Sequence, residues 1–130
     1  SRDLLGELTD ADLNGLAYMW SLPAQIAGMR ALIGRTGYTG ELGYEILVPV
    51  EHAHDFWMAL MDTGEKYGLT PCGMVAAFSL RMEKGYRDYG HDIDNTDDAY
   101  ETGLGLFVDL EKADFIGKAH CVEKKAQGPA

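Results

Sequence analysis

The sequence predicts an α+β domain, and two observations support this. Strand-like segments lie on both sides of a run of glycines between residues 34 and 43. Segments with apolar residues at three- and four-residue steps, typical of helices, follow them along the chain. Strands that bury one face and helices that bury one stripe pack together in this class of fold. A length of 130 residues allows one domain of ordinary size with its own core.

The first part of the chain is predicted to open with a short helix. Leu4, Leu5 and Leu8 follow helical spacing. Residues 9–12 are rich in turn formers. A second short helix or an irregular segment is predicted to follow this turn, and Pro23 interrupts the stretch beyond it.

Two strands are predicted around the glycine-rich segment. Residues 29–34 are mostly apolar, as expected for a strand. Residues 44–49 form the returning strand. Pro49 ends that strand, because proline has no amide hydrogen to donate to a ladder.

Amphipathic helices are predicted after the strands, at about residues 51–67 and 73–84. A third strand is predicted at 104–108, a last helix beginning near Gly117, and a linker at 128–130. The core is expected to come chiefly from apolar side chains of the helices at 51–67 and 73–84: Phe56, Trp57, Leu60, Phe78 and Leu80.

Charge and composition exclude several classes of function. The formal net charge is −10, from 11 basic and 21 acidic residues, which disfavours nucleic-acid and anionic-membrane partners. We find no apolar run near the roughly 20 residues that a membrane-spanning helix needs. Cys72 and Cys121 lie far apart in the sequence, which fits a reducing compartment, either the cytoplasm or a mitochondrial matrix.

No metal site is expected from the acidic or histidine-containing segments. Residues 92–103 imitate a calcium loop, but Asp97 stands where glycine is needed and Gly103 where glutamate is needed. His52 and His54 are two residues apart and point to different sides of a helix. An acidic loop and a solvated helix start are the expected structures.

The glycine-rich segment RTGYTGELGYEI, residues 35–46, is the first candidate binding site. Its glycines allow another backbone or a flat ligand to approach closely. Tyr38 supplies a ring for stacking, while Glu41 and Glu45 supply carboxylates that accept paired N–H bonds from an amidine-like edge. The alternative is a hairpin whose glycines only form turns. The spacing G-x-x-G-x-x-G is not a dinucleotide fingerprint.

The segment SLRMEKGYRDYGHDI, residues 79–93, is the second candidate. Arg81 and Lys84 are three residues apart and share a face of the predicted helix, with Arg87 beyond it. These cations suit a ligand that carries a carboxylate. They equally suit a solvated helix end whose dipole favours basic residues.

Both candidate segments belong to a series that resembles a known family. With the helix between them and the later segments ETGLGLFVDL and DFIGKAH, they resemble, in order and spacing, the glycine-cleavage T-protein (aminomethyltransferase) superfamily. Within it, MEKGYRDYGHDI is more similar to the folate domains of dimethylglycine and sarcosine dehydrogenase-like proteins than to the T-proteins themselves.

The resemblance implies a ferredoxin-like antiparallel sheet with helices on one face, forming part of a central folate-binding region. It implies that tetrahydrofolate binds there, with Tyr38 lining the pocket and Glu45 bonding the amino edge of the pterin. An arginine of the family that grips the folate tail is replaced by Ala77. Arg81 and Arg87 are the residues expected to compensate.

The resemblance also implies that residues 1–130 are a partial domain. The catalytic aspartate of the family lies in an N-terminal portion that this chain lacks, and the C-terminal barrel is absent too, so the catalytic residue is unknown. The expected function of the parent is transfer of a one-carbon unit from a small amine or methyl donor to tetrahydrofolate, with this chain alone inactive. Self-association through an exposed apolar face is expected. The alternatives are a non-catalytic folate-binding or accessory module and a structural fragment without a ligand.

Overall fold

The structure, a computed structural model, describes residues 1–128. The chain divides into two compact units, the first covering Ser1–Tyr86 and the second beginning at Arg87. Apart from residue 128, the predicted linker at 128–130 lies outside the described residues.

The first unit contains three helices and three strands. In chain order these are α1 (Arg2–Gly6), β1 (Ser21–Ile26), β2 (Met29–Gly34), β3 (Glu45–Leu47), α2 (Ala53–Gly64) and α3 (Met74–Glu83). Short 3₁₀ turns at Val50–His52 and Glu65–Tyr67 extend α2 at both ends. The predicted helices at 51–67 and 73–84 are therefore confirmed, as are the two predicted strands.

The strands form one antiparallel sheet in the order β1-β2-β3. A two-residue turn joins β1 to β2, and both of its residues, Ala27 and Gly28, have positive φ, as tight hairpins require. The prediction of an α+β fold with an antiparallel sheet is confirmed. Strand β1 was not predicted, and Pro23 interrupts this stretch of the sequence. Proline is tolerated here since β1 lies at the edge of the sheet.

The core lies between one face of the sheet and the first segment of the chain. Its buried members are Leu5, Leu13, Leu16, Ile26 and Ile33. The two isoleucines are fully buried. Successive strand residues point to opposite faces, which is why only alternate positions of β2 reach this core.

The predicted core on the two long helices is wrong in part. Phe56 packs against the core, but Trp57 is 48% exposed and Leu80 is also exposed. Helical periodicity identifies an apolar stripe without identifying the surface that covers it. Further exposed apolar side chains lie on α3 and on the outer face of the sheet, where Leu47 is 63% exposed. The expected self-association through such surfaces stays a prediction.

The second unit corrects one predicted element. Residues 104–108 are not a strand but contain a 3₁₀ turn, Gly105–Phe107. The amides of Phe107 and Val108 donate to carbonyls three residues earlier and so are not available for a ladder. The ring of Tyr100 lies against Gly105, within 2.5 Å of where a Cβ would stand. Helix α4 (Lys118–Gln127) starts directly after Gly117, as predicted.

The acidic stretch of this unit is organised by turns. Asp98 accepts hydrogen bonds from the amides of Tyr100 (2.7 Å) and Glu101 (3.0 Å), and its carboxylate lies 3.3 Å from Lys124 Nζ. Asp94 accepts from the amide and hydroxyl of Thr96 in the same manner. These backbone bonds match the predicted acidic loop.

Glu7, which follows α1, connects the start of the chain to the end of α2. Its carboxylate accepts hydrogen bonds from Lys66 Nζ and from the Tyr67 hydroxyl. The bond from Lys66, followed by the bond from Tyr67, holds the pKa of Glu7 below its ordinary value of 4.5. A carboxyl group with a lowered folded pKa contributes stability above its unfolded pKa and loses that contribution as the pH falls through the folded value.

We therefore expect Glu7→Gln to lower the melting temperature at pH 7 and to make little difference well below pH 4.5. Thermal melts of both proteins from pH 7 to pH 3, followed by circular dichroism, measure this. Asp62→Asn, which changes an exposed carboxylate on α2, is the matched control and should leave the melting temperature nearly constant. A Glu7→Gln effect of equal size at every pH would contradict the assignment.

Candidate functional site

The glycine-rich segment forms one wall of a pocket of about 240 Å³ in the first unit. This segment connects the end of β2 to the start of β3. The lining residues are Tyr18, Arg35, Thr36, Gly37, Gly40, Glu41, Leu42, Gly43 and Tyr86. The candidate segment thus encloses space instead of closing a tight hairpin.

Gly40 shows why this wall needs glycine. Its φ of 72° lies in the left-handed region, which side chains with a Cβ adopt at a cost. A Cβ at this position would also overlap the aliphatic stem of Lys84. The segment can pass this close to Lys84 only because residue 40 has no side chain.

Tyr18, another lining residue, comes from a part of the sequence that was predicted as a second short helix or an irregular segment. Backbone hydrogen bonds from Met19 to Arg35 (3.1 Å) and from Arg35 to Trp20 (2.8 Å) extend the pairing of β1 and β2 and place Tyr18 at the pocket. Met19 has a φ of 65°, which is strained for a residue other than glycine. Sequence reasoning missed Tyr18. Its only signal was an aromatic pair, Tyr18 and Trp20, beside an unassigned strand.

Tyr38 and Glu45, the residues expected to bind the pterin, each contact a lining residue. The Tyr38 ring is 42% exposed and tilted by 33° to the ring of Tyr86, with 5.8 Å between centroids. Glu45 is exposed and accepts a hydrogen bond from the Thr36 hydroxyl. Neither Tyr38 nor Glu45 lines the pocket itself, and each is connected to it through one lining residue, Tyr86 or Thr36.

The two candidate arginines have different surroundings. Arg81 is only 4% exposed, and its Nη1 donates to the carbonyl of Tyr86 at 2.9 Å, while its own carbonyl accepts from the Tyr86 amide at 3.0 Å. It thereby fixes the backbone that presents Tyr86. Arg87 belongs to the second unit, is exposed, and donates from Nε to the carbonyl of Thr102 at 2.8 Å. Their expected role toward a folate tail stays a prediction.

The charges at the pocket include one close ion pair. Lys84 Nζ lies 2.8 Å from the Glu41 carboxylate, and the hydrogen bond to this carboxylate raises the pKa of Lys84 above its ordinary value. With aromatic rings, glycines and carboxylates around it, the pocket can stack a flat ring and accept hydrogen bonds from its edge.

Within residues 1–128, no group of three or more His, Cys, Asp or Glu side chains is placed to hold a metal ion. No helix among the described residues has the length and apolar character needed to cross a membrane.

Comparison with known proteins relates this fold to a family. The family model described as the GCVT N-terminal domain matches residues 1–112. The chain belongs to this family. The predicted resemblance to the T-protein superfamily is thereby confirmed.

Curated relatives of this chain are aminomethyltransferases. The chain is 46% identical over 122 residues to the aminomethyltransferase of Chloroherpeton thalassium, covering 94% of this chain and 34% of that protein. It is 47% identical over 124 residues to that of Streptomyces coelicolor, covering 95% and 33% respectively. The chain thus spans about a third of the length of these relatives. The expected closeness to dimethylglycine and sarcosine dehydrogenase-like proteins stays a prediction.

A solved structure supports the same relationship. The glycine cleavage system aminomethyltransferase T from Bartonella henselae matches with a TM-score of 0.81 and 29% sequence identity, covering 98% of this chain and 34% of that one. Sequence and backbone therefore agree on the family and on the fold.

Proposed function

We propose that this chain forms the pterin-binding part of a transferase that passes an aminomethyl or methyl unit to tetrahydrofolate in one-carbon metabolism. The observation that carries this proposal is the glycine-walled pocket lined by Tyr18 and Tyr86, with Glu45 hydrogen-bonded to its lining residue Thr36. Membership of a family whose curated relatives are aminomethyltransferases supports it.

The dimensions of the pocket suit one ring system better than a whole folate. Its volume of about 240 Å³ falls below the roughly 300–1,000 Å³ of sites that enclose an entire small molecule. A pterin is flat, and its amino edge presents two parallel N–H donors that a carboxylate accepts together. Tyr38 and Glu45 are the residues proposed to meet it, and the benzoyl-glutamate tail extends outside.

The tail is proposed to meet Arg81 or Arg87. Arg87 is the more accessible of the two, since Arg81 is buried against the carbonyl of Tyr86. We assign no catalytic residue within this chain, so its expected activity in isolation is binding without turnover. The complete reaction needs a small amine or methyl donor and an acidic side chain that positions the folate nitrogen.

Titration with tetrahydrofolate under reducing conditions tests the proposal, with tryptophan fluorescence as the readout. Trp20 is exposed and lies two residues from Tyr18 of the pocket, so its emission should respond to a bound ring. We expect saturable binding that tetrahydropterin displaces and p-aminobenzoyl-glutamate does not. Displacement by the tail fragment alone would place the binding outside this pocket.

Glu45→Gln is expected to weaken tetrahydrofolate binding by about 10- to 100-fold, since one charge-assisted pair of hydrogen bonds contributes roughly 1.5–3 kcal/mol. Glu51→Gln, an exposed carboxylate at the start of the 3₁₀ turn before α2, is the matched control and should bind normally. Equal affinities of Glu45→Gln and the wild type would remove Glu45 from the site.

A non-catalytic folate-binding module is the alternative function. It gives the same titration curve, so binding alone does not separate the two. An assay of one-carbon transfer to tetrahydrofolate by the complete gene product does. Binding with no transfer from any amine or methyl donor would favour the module.

A further inference from the structure

Lys84 makes an unusual contact with the glycine wall of the pocket. It follows α3 directly, and its stem lies on the face of Gly40 where a Cβ would project. Its ammonium group pairs with the next residue, Glu41, at 2.8 Å. The apolar stem of Lys84 therefore packs on Gly40 while its ammonium group pairs with Glu41, and these are adjacent residues of the same wall.

A second contact joins the same two segments. The rings of Tyr38 and Tyr86 meet two residues away from Gly40 and Lys84 in each segment. The exit of α3 is itself fixed, because Tyr86 exchanges hydrogen bonds with Arg81 through both its amide and its carbonyl. The wall at 37–43 is thus held against a segment whose backbone is itself fixed by hydrogen bonds.

We propose that Lys84 is a positioning residue for ligand binding, which fixes the wall at 37–43 without contacting the ligand. Lys84 does not line the pocket, whereas Gly40 and Glu41 do. It also neutralises Glu41, whose carboxylate would otherwise repel an anionic ligand. The effect on affinity rests on the proposed function, while the effect on the wall does not.

Three substitutions separate the parts of this contact. Lys84→Met keeps most of the stem and removes the charge, Lys84→Ala removes both, and Lys84→Arg keeps both. We expect tetrahydrofolate affinity to fall roughly three- to tenfold in Lys84→Ala, less in Lys84→Met, and to be largely retained in Lys84→Arg. Lys125→Ala, an exposed lysine of α4, is the matched control.

A measurement without ligand tests the wall itself. Amide order parameters from nuclear relaxation should be near 0.85 at Gly40 and Gly43 in the wild type and fall toward about 0.6 in Lys84→Ala. The melting temperature should change little, because the ion pair is exposed. A purely structural role would instead lower the melting temperature and leave the affinity of the folded protein unchanged.

The outcomes distinguish the two proposals. Wild-type binding with equal affinity in all Lys84 variants would overturn the positioning role and leave the proposed function standing. Weaker binding with unchanged order parameters would also overturn it, because the charge alone would then account for the effect. No wild-type binding, with a more mobile wall in Lys84→Ala, would overturn the proposed function and support the contact. No binding and no change in mobility would overturn both.

Discussion

Replacing Ile33 by alanine is expected to destabilise the first unit by about 2–5 kcal/mol, the range for truncating a large core side chain. Ile33 is fully buried at the centre of the sheet, and its cross-strand partners are Leu22 on β1 and Ile46 on β3. The substitution removes buried apolar contacts and leaves a cavity between the sheet and the first segment of the chain. Since most domains have only 5–15 kcal/mol of stability, this loss is a large fraction of the total.

Urea unfolding followed by circular dichroism measures the free energy of unfolding of Ile33→Ala against the wild type. Leu47→Ala is the matched control, since it lies in the same sheet on the exposed face and should cost well under half as much. Similar losses for both substitutions would mean that the sheet buries its other face.

Gly64→Ala is expected to destabilise the protein by about 1–3 kcal/mol, opposite in sign to the usual effect in a helix. Alanine ordinarily stabilises a helical position relative to glycine by up to about 1 kcal/mol. Gly64 is buried at the end of α2, and a Cβ there would lie 2.5 Å from Leu69 Cδ2 and 3.1 Å from Leu4 Cδ1. The methyl group can enter only if Leu69 moves.

The sign of the change is the sharpest test. Gly6→Ala in α1, where a Cβ would have no neighbour within 4 Å, should be neutral or stabilising in the same unfolding experiment. Combining Gly64→Ala with Leu69→Ala should cost less than the sum of the two single changes, because the overlap with Leu69 Cδ2 is removed, although the overlap with Leu69 Cβ at 2.7 Å remains. A stabilising Gly64→Ala, or strictly additive costs, would contradict the close packing.

Local sequence patterns predicted most elements of this fold and few of its contacts. Periodicity located α2 and α3 to within a few residues, because helical spacing is a local property of the chain. It predicted a buried Trp57, which is 48% exposed, since burial depends on what else packs on the helix. Strand β1, which contains Pro23, was not predicted for a similar reason. The penalty for proline depends on whether the strand lies at an edge, and the sequence does not state that.

Sequence patterns likewise predicted part of the candidate site and missed the rest. The glycine spacing and Tyr38 pointed to a segment that lines a pocket, because glycine and aromatic residues have the same chemistry wherever they stand. The role of this segment in binding stays a prediction. Tyr18 was missed, since only the backbone pairing of Met19 and Trp20 with Arg35 places it at the pocket. The sequence also did not predict the burial of Arg81, because an arginine at the end of a helix is ordinarily solvated.

The two-residue turn between β1 and β2 has a consequence for the order of assembly. Closing so short a loop costs little entropy, and isolated hairpins form within microseconds. Strand β3 joins only after residues 35–44 have been ordered, which is a longer and glycine-rich closure. The segment that lines the pocket is therefore expected to be among the last parts of the sheet region to settle, and the first to open.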